Sequence, residues 1–314
     1  MGDSGDGPDG GETDAPRLVP AAAAEATDPV TAVFDAVAAV APEIEAALAR
    51  HLGYVAETNE SGDDVTEADV YADERLAAAV GDVDGVGQYV SEEQSTAVDV
   101  GADPDDSGAV AVAVDPLDGS SNVRSNNPTG TIVGVYDAPL PAGGDDLVGS
   151  AYVLFGPTTR MVVARDGRVQ EYLLDDGART LLTADLTLPA EPTVYGFGGG
   201  RDAWPAPFRT YAESVAEELK LRYGGAFVAD VTQVLSYGGV FAYPALTDAT
   251  RGKLRTLFEA IPVANVVEAA GGRSSDGERS LLAVEAETLH ARTPVYVGNA
   301  TCVDRAEDAL DRPG

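Results

Sequence analysis

The chain has 314 residues and a formal net charge of −33, from 53 acidic against 20 basic side chains. That balance repels phosphate backbones and anionic lipid, which argues against nucleic acid or membrane partners, and it suits concentrated salt, where the screening length falls to ~3 Å at about 1 M. Cys302 is the only cysteine and His51 and His290 are the only histidines, so an intrachain disulfide, a histidine-based triad and a His-rich zinc site are all set aside, and any chemistry falls to carboxylates.

Residues 1–26 are rich in Gly, Asp and Ala and are expected to be disordered. They hold few of the acids, so the charge belongs to the folded part. Asp28-Pro29 opens a helical pattern through Val30, Phe34, Val37, Ala41, Ile44 and Leu48, with Pro42 placed to kink or split it and Gly53 as a stop. An acidic loop over 59–64 leads to a second helix over 65–80. Residues 88–90 form a short strand running into Ser91-Glu92-Glu93, and 110–114 a buried strand.

Strands follow at 131–136, 148–155, 161–165 and 169–174, with Asp166-Gly167 as a hairpin turn. Gly196-Phe197-Gly198-Gly199-Gly200 reads as a loop. Helices are expected at 207–221, 228–236, 258–270 and 303–310, and strands at 240–243, 281–284 and 295–297. The mixture indicates a layered α/β or α+β fold. A lobe boundary near 188–193 would divide the chain into 27–190 and 191–314. No apolar run approaches the ~18 residues of a membrane span, and the start lacks the pattern of a signal peptide. A cytoplasmic location is expected.

The most informative stretch is Asp115-Pro116-Leu117-Asp118-Gly119-Ser120-Ser121-Asn122. Two carboxylates sit where an apolar strand meets a turn, and Gly119 frees the backbone for close approach to an anion. Hard oxygen ligands beside a backbone nest are the minimum for metal-assisted phosphate chemistry. Glu92-Glu93 alone also fits a solvated pair; beside this turn it brings the carboxylates to four.

These residues, with Gly62-Asp63-Asp64-Val65, Asp69, Arg222-Tyr223, Val228-Ala229-Asp230, Tyr237-Gly238-Gly239, Tyr243-Pro244-Ala245, Gly252-Lys253-Leu254-Arg255, Glu259 and Ala269-Ala270-Gly271-Gly272, resemble in order the class I fructose-1,6-bisphosphatases of the Mg²⁺-dependent, Li⁺-sensitive sugar phosphatases. The resemblance runs from about Asn59 to about Gly298. It implies an α-β-α-β-α sandwich with a metal- and phosphate-binding lobe followed by a sugar-phosphate lobe. It implies hydrolysis of the 1-phosphate of fructose 1,6-bisphosphate, serving gluconeogenesis, with two or three Mg²⁺ per site and Mn²⁺ as a substitute.

Position by position, Glu92, Glu93, Asp115, Asp118, Glu259 and the Leu117 carbonyl resemble metal ligands, with Asp63 as a further one. Asp69 with Glu93 resembles the pair that takes the proton from the attacking water. Asp118, Gly119, Ser120 and Ser121 resemble the turn that holds the phosphate being cleaved. Lys253, Tyr243 and Tyr223 resemble contacts to the sugar and its other phosphate. Arg222 resembles an arginine that reaches a neighbouring subunit's site, implying a homodimer or homotetramer.

The chain also departs from the pattern. Gly198 stands where an Asn is usual and Arg201 near a usual Tyr, so flexible backbone N–H groups plus Arg201 are expected to grip the second phosphate. Ala109-Val110 replaces the Lys-Tyr of the AMP site of animal members, and little inhibition by AMP is expected. Sedoheptulose-1,7-bisphosphatase shares almost every motif and stays open. So do a broader sugar or inositol phosphatase and, from a different class, a non-catalytic sugar-phosphate sensor.

Overall fold

The computed structural model describes residues 28–50, 53–58, 64–103, 106, 108–176 and 178–311. The expectations for 1–26, for most of the 59–64 loop and for Asp63 lie outside them.

Helix α1 (Pro29–Leu48) starts where Asp28 accepts from the Thr31 N–H at 3.2 Å and Pro29 takes a position whose N–H needs no partner. It is one helix straight through Pro42, and it ends before Gly53. Strands β1 (Tyr54–Thr58) and β2 (Asp64–Thr66) form a two-stranded ribbon leading into α2 (Glu67–Gly81).

A large sheet follows from β3 (Val86–Ser91), β4 (Val98–Asp99), β5 (Val110–Asp118), β6 (Thr129–Tyr136), β7 (Leu147–Phe155), β8 (Arg160–Arg165), β9 (Arg168–Asp175) and β10 (Ala178–Thr183). Its order is β10-β9-β8-β7-β6-β5-β3-β4, with only β3–β5 parallel. The later elements are β11 (Val194–Phe197), α3 (Ala206–Glu218), β12 (Lys220–Leu221), α4 (Phe227–Tyr237), β13 (Gly239–Tyr243), β14 (Leu254–Arg255), α5 (Ile261–Ala269), β15 (Arg273–Ser275), β16 (Arg292–Thr293), β17 (Val295–Gly298) and α6 (Ala300–Leu310). Five of these strands make a second sheet, β12-β11-β13-β17-β15; β14 pairs with β16.

Period-two alternation explains the layering. Along β6, Val133 and Val135 join α1 and α2, whereas Ile132 joins α4 and α5. Along β8, Met161 and Val163 divide from Val162 and Ala164 in the same way. A sheet buried on both faces therefore reads as near-continuous apolar runs. Phe241, Val295 and Val297 of the second sheet close on α4 and α5 from the other side. Val240, Ala242 and Tyr296 face α3 and α6, where Phe208 anchors an aromatic cluster. The result is the expected α-β-α-β-α sandwich.

Local expectations need correction: the first two residues of the 196–200 loop belong to β11, and the helix expected at 207–221 stops at Glu218 before β12. The strand through 110–114 does not stop at Pro116: β5 continues to Asp118, with a register shift against β6 between Asp115 and Asp118. An irregularity of this kind accommodates a proline inside a sheet. Residues 281–284 are not a strand; Leu281–Ala283 is a 3₁₀ turn, opened by Ser280, whose hydroxyl accepts from the Leu282 N–H. The helix expected at 258–270 begins earlier, as a wide π turn over Thr256–Ala260 that passes into α5.

Candidate active site

A cavity of about 540 Å³ opens between the large sheet and the later half of the chain. Asp115, Leu117 and Asp118 reach it from the end of β5, Glu92 and Glu93 from the turn after β3, and Asp69 from the first turn of α2. Glu259 comes from the π turn, a wide coil that often marks functional sites. Tyr136 secures that turn by donating to the Leu257 carbonyl at 3.0 Å.

One carboxylate oxygen each from Asp115, Asp118 and Glu259 lies within 4.8 Å of the others, and all three residues are buried. Burial, then Glu92, Asp118, Glu259 and Glu93, pushes Asp115 well above the usual carboxylate range. Burial and the charges of Glu92 and Asp118 do the same to Glu259. Burial raises Asp118 to about 6, opposed by N–H bonds from Val228 at 2.7 Å and Phe227 at 3.0 Å at the start of α4.

Several buried anions held this close require protons or a cation. Arg255, itself 1% exposed, lies 3.3 Å from Glu92, and its N–H donates to Glu259 at 2.5 Å. One arginine does not balance the cluster. An all-oxygen donor set fits a hard divalent cation such as Mg²⁺ or Mn²⁺.

Asp69 forms a reciprocal cap with Thr66: it accepts from the Thr66 N–H at 2.6 Å, and its own N–H donates to the Thr66 hydroxyl at 3.2 Å. Burial raises its proton affinity, while bonds from Thr66 and Ser120 oppose the shift. So the carboxylate expected to take a proton touches the turn expected to hold the phosphate. Gly119, at φ 72°, starts the 3₁₀ turn Ser120–Ser125. A Cβ at this position would overlap Ala226, so only glycine lets the turn approach this closely.

Tyr223, Tyr243 and Lys253 line the cavity's other side. Burial raises Tyr223 to about 12, aided by Tyr243, Asp230 and Asp118. Arg201 is not part of the cavity lining; its guanidinium is held by Glu213 at 2.5 Å on the exposed surface. The Gly198 N–H is already used, donating to Ala242 at 2.8 Å. A Cβ on Gly198 would fall inside the Tyr243 ring, so the ring occupies the space of the missing asparagine side chain. Arg222 is likewise outside the cavity, exposed over the Tyr237 ring.

Two contributors stand in the quoted motifs but were given no site role from sequence. Arg255 had a signal: alternation in a strand puts it on the same face as Lys253. Asn122 donates to the carbonyls of Pro128 and Gly224, both at 2.8 Å, and so pins the turn after Gly119 to the loop after Tyr223. Asp230 holds that loop from behind, accepting from Gly224 at 2.6 Å and Gly225 at 3.2 Å.

Residues 17–183 match the model of the fructose-1-6-bisphosphatase N-terminal domain, and residues 188–311 that of its C-terminal domain. The chain belongs to the fructose-1,6-bisphosphatase family. A relative from Natronomonas pharaonis, named fructose-1,6-bisphosphatase class 1, is 54% identical over 90% of this chain and 99% of its own. One from Halobacterium salinarum with the same name is 52% identical over 90% and 98%. A crystal structure of Leishmania major fructose-1,6-bisphosphatase in holo form superposes with a TM-score of 0.85 at 29% identity, covering 92% of this chain and 96% of that one. Membership makes the chain a phosphatase, and its halophilic relatives agree with its acidic composition.

Proposed function

We propose that this chain hydrolyses the 1-phosphate of fructose 1,6-bisphosphate to fructose 6-phosphate and phosphate, with Mg²⁺ as its ion and Mn²⁺ able to replace it. The observation that carries this reading is the buried trio Asp115, Asp118 and Glu259 within 4.8 Å of one another, next to the Gly119 turn. In this reading Glu92, Glu93, Asp115, Asp118, Glu259 and the Leu117 carbonyl hold two or three ions. Bound there, the ions would supply Lewis-acid neutralisation of the charge on the phosphoryl oxygens.

The chain's own groups do the rest. Backbone N–H groups at the start of the Ser120–Ser125 turn have no intrahelical partner and can hold phosphoryl oxygens. Asp69, seconded by Glu93, accepts the proton of the attacking water; burial raises its proton affinity, which favours that role. Lys253 meets the second phosphate as a point charge, with Tyr223 and Tyr243 against the sugar. Arg222, exposed beside the short edge strand β12, fits a role in a neighbouring subunit's site, and we propose a homodimer or homotetramer in the cytoplasm. Among the described residues, no helix is long and apolar enough to cross a membrane.

The test is phosphate release from fructose 1,6-bisphosphate with Mg²⁺ at molar KCl. Asp69→Asn should abolish release and keep substrate binding. A wild-type chain that binds the bisphosphate but releases no phosphate at any Mg²⁺ concentration would overturn the reading in favour of a sensor.

A further inference from the structure

We propose that Gln94 and His290 are positioning residues that set the spacing of the carboxylates around the cation site. The inference rests on the metal reading above and assigns residues outside the cavity lining. Glu92 and Glu93 sit in a turn fixed along its backbone. The Glu92 N–H donates to Val114 at 2.9 Å, Glu93 to the Ser91 hydroxyl at 3.1 Å, and Gln94 to the Ser91 carbonyl at 3.1 Å. These bonds join the turn to the large sheet alone. Glu92 also pairs with Arg255 at 3.3 Å, and Gln94 adds a second link from the turn to the elements carrying Asp69 and Glu259.

The Gln94 side-chain amide donates to both carboxylate oxygens of Asp73, at 3.2 and 3.4 Å. Asp73 lies one helical turn beyond Asp69 on the same face of α2, and the Tyr89 hydroxyl holds it at 3.1 Å. The Gln94 carbonyl meets His290 Nε2 at 2.8 Å. A carbonyl only accepts, so Nε2 carries a proton and donates it to this bond. The same ring lies 5.6 Å from Phe258, the residue before Glu259. The next carbonyl, that of Ala291, accepts from the Thr256 N–H at 2.8 Å, where the π turn begins. Gln94 thus ties together the elements carrying Asp69, the Glu92-Glu93 pair and Glu259. Partners that orient ligands in this way typically govern metal affinity by 10–100-fold.

The test is the Mg²⁺ dependence of thermal unfolding for the full chain in molar KCl, with kcat and KM measured beside it. His290→Ala and Gln94→Ala should each raise the half-saturating Mg²⁺ concentration by about tenfold or more, with KM for the bisphosphate at saturating Mg²⁺ little changed. His290→Gln, which restores an amide donor near the Nε2 position, should recover most of the loss. Variants that melt earlier without metal but keep the wild-type Mg²⁺ midpoint would overturn the proposal, because a merely structural pin does that. A wild-type chain whose unfolding ignores Mg²⁺ would refute the metal reading itself, before any variant is compared.

Discussion

Stripping the divalent cation with EDTA should make stability fall as pH rises from acid to neutral. Folding raises Asp118 from 3.8 to about 6 and Asp230 from 3.8 to about 7, burial being the largest cause in each. Between those limits the folded chain holds protons that the unfolded chain has released. The unfolding free energy therefore declines across that window and is level below it. Each pK unit corresponds to about 1.4 kcal/mol, so Asp118 alone contributes on the order of 3 kcal/mol and Asp230 on the order of 4 kcal/mol. Asp115 and Glu259, raised well above the carboxylate range, add to the decline in the same direction. In the proposed reading Mg²⁺ would take the place of the protons around Asp115, Asp118 and Glu259, so saturating Mg²⁺ should remove much of the decline and leave the share of Asp230. The assay is thermal unfolding at molar KCl, which screens the general surface repulsion, with EDTA or Mg²⁺ at several pH values. A drop of roughly 10 °C between about pH 5 and pH 8 is expected in EDTA, taking about 2–4 °C per kcal/mol for a chain of this size. A melting temperature in EDTA that is level or climbs over that range would refute the reasoning.

Asn122→Ala strands the Pro128 and Gly224 carbonyls and should cost about 2–4 kcal/mol, read as a melting point lower by roughly 5–10 °C, with a higher KM as the Tyr223 loop loosens. A fall of less than about 2 °C would show that the two bonds are not what pins the loop. Lys253→Ala should raise KM for the bisphosphate far more than for a small phenyl phosphate; equal effects on both would remove Lys253 from the second-phosphate role. Lowering KCl from molar to millimolar should lower the melting point, since a net charge of −33 then repels itself over a longer range; a constant or rising melting point would contradict salt adaptation.

What was legible in the sequence depended on whether one period or many contacts decide the outcome. The buried strands and α1 follow from their own spacing, because each face meets a single apolar layer. The carboxylates that the fold gathers at the cavity were quoted by resemblance, since they stand in short, ordered motifs. The failures share a physical cause. Residues 281–284 carry an apolar pattern, but the Ser274 hydroxyl takes the Leu281 N–H at 3.1 Å and turns the backbone away from any sheet. Pro116 looks like the end of a strand until pairing resumes at Asp118 opposite Gly130. Arg201 seemed free to replace a lost side chain, yet Glu213, twelve positions on along α3, claims it. The Gly198 case shows the same logic at the site itself. Viewed as a gap in a motif, it called for a replacement cation. In the fold the gap is filled by the Tyr243 ring, and Trp204 donates to the Gly198 carbonyl at 2.9 Å. The loss of a polar side chain there is coupled to where an aromatic from β13 lies. In the proposed reading the second phosphate is left to Lys253 and the tyrosines, and restoring an asparagine at 198 would require Tyr243 to move before any contact is gained.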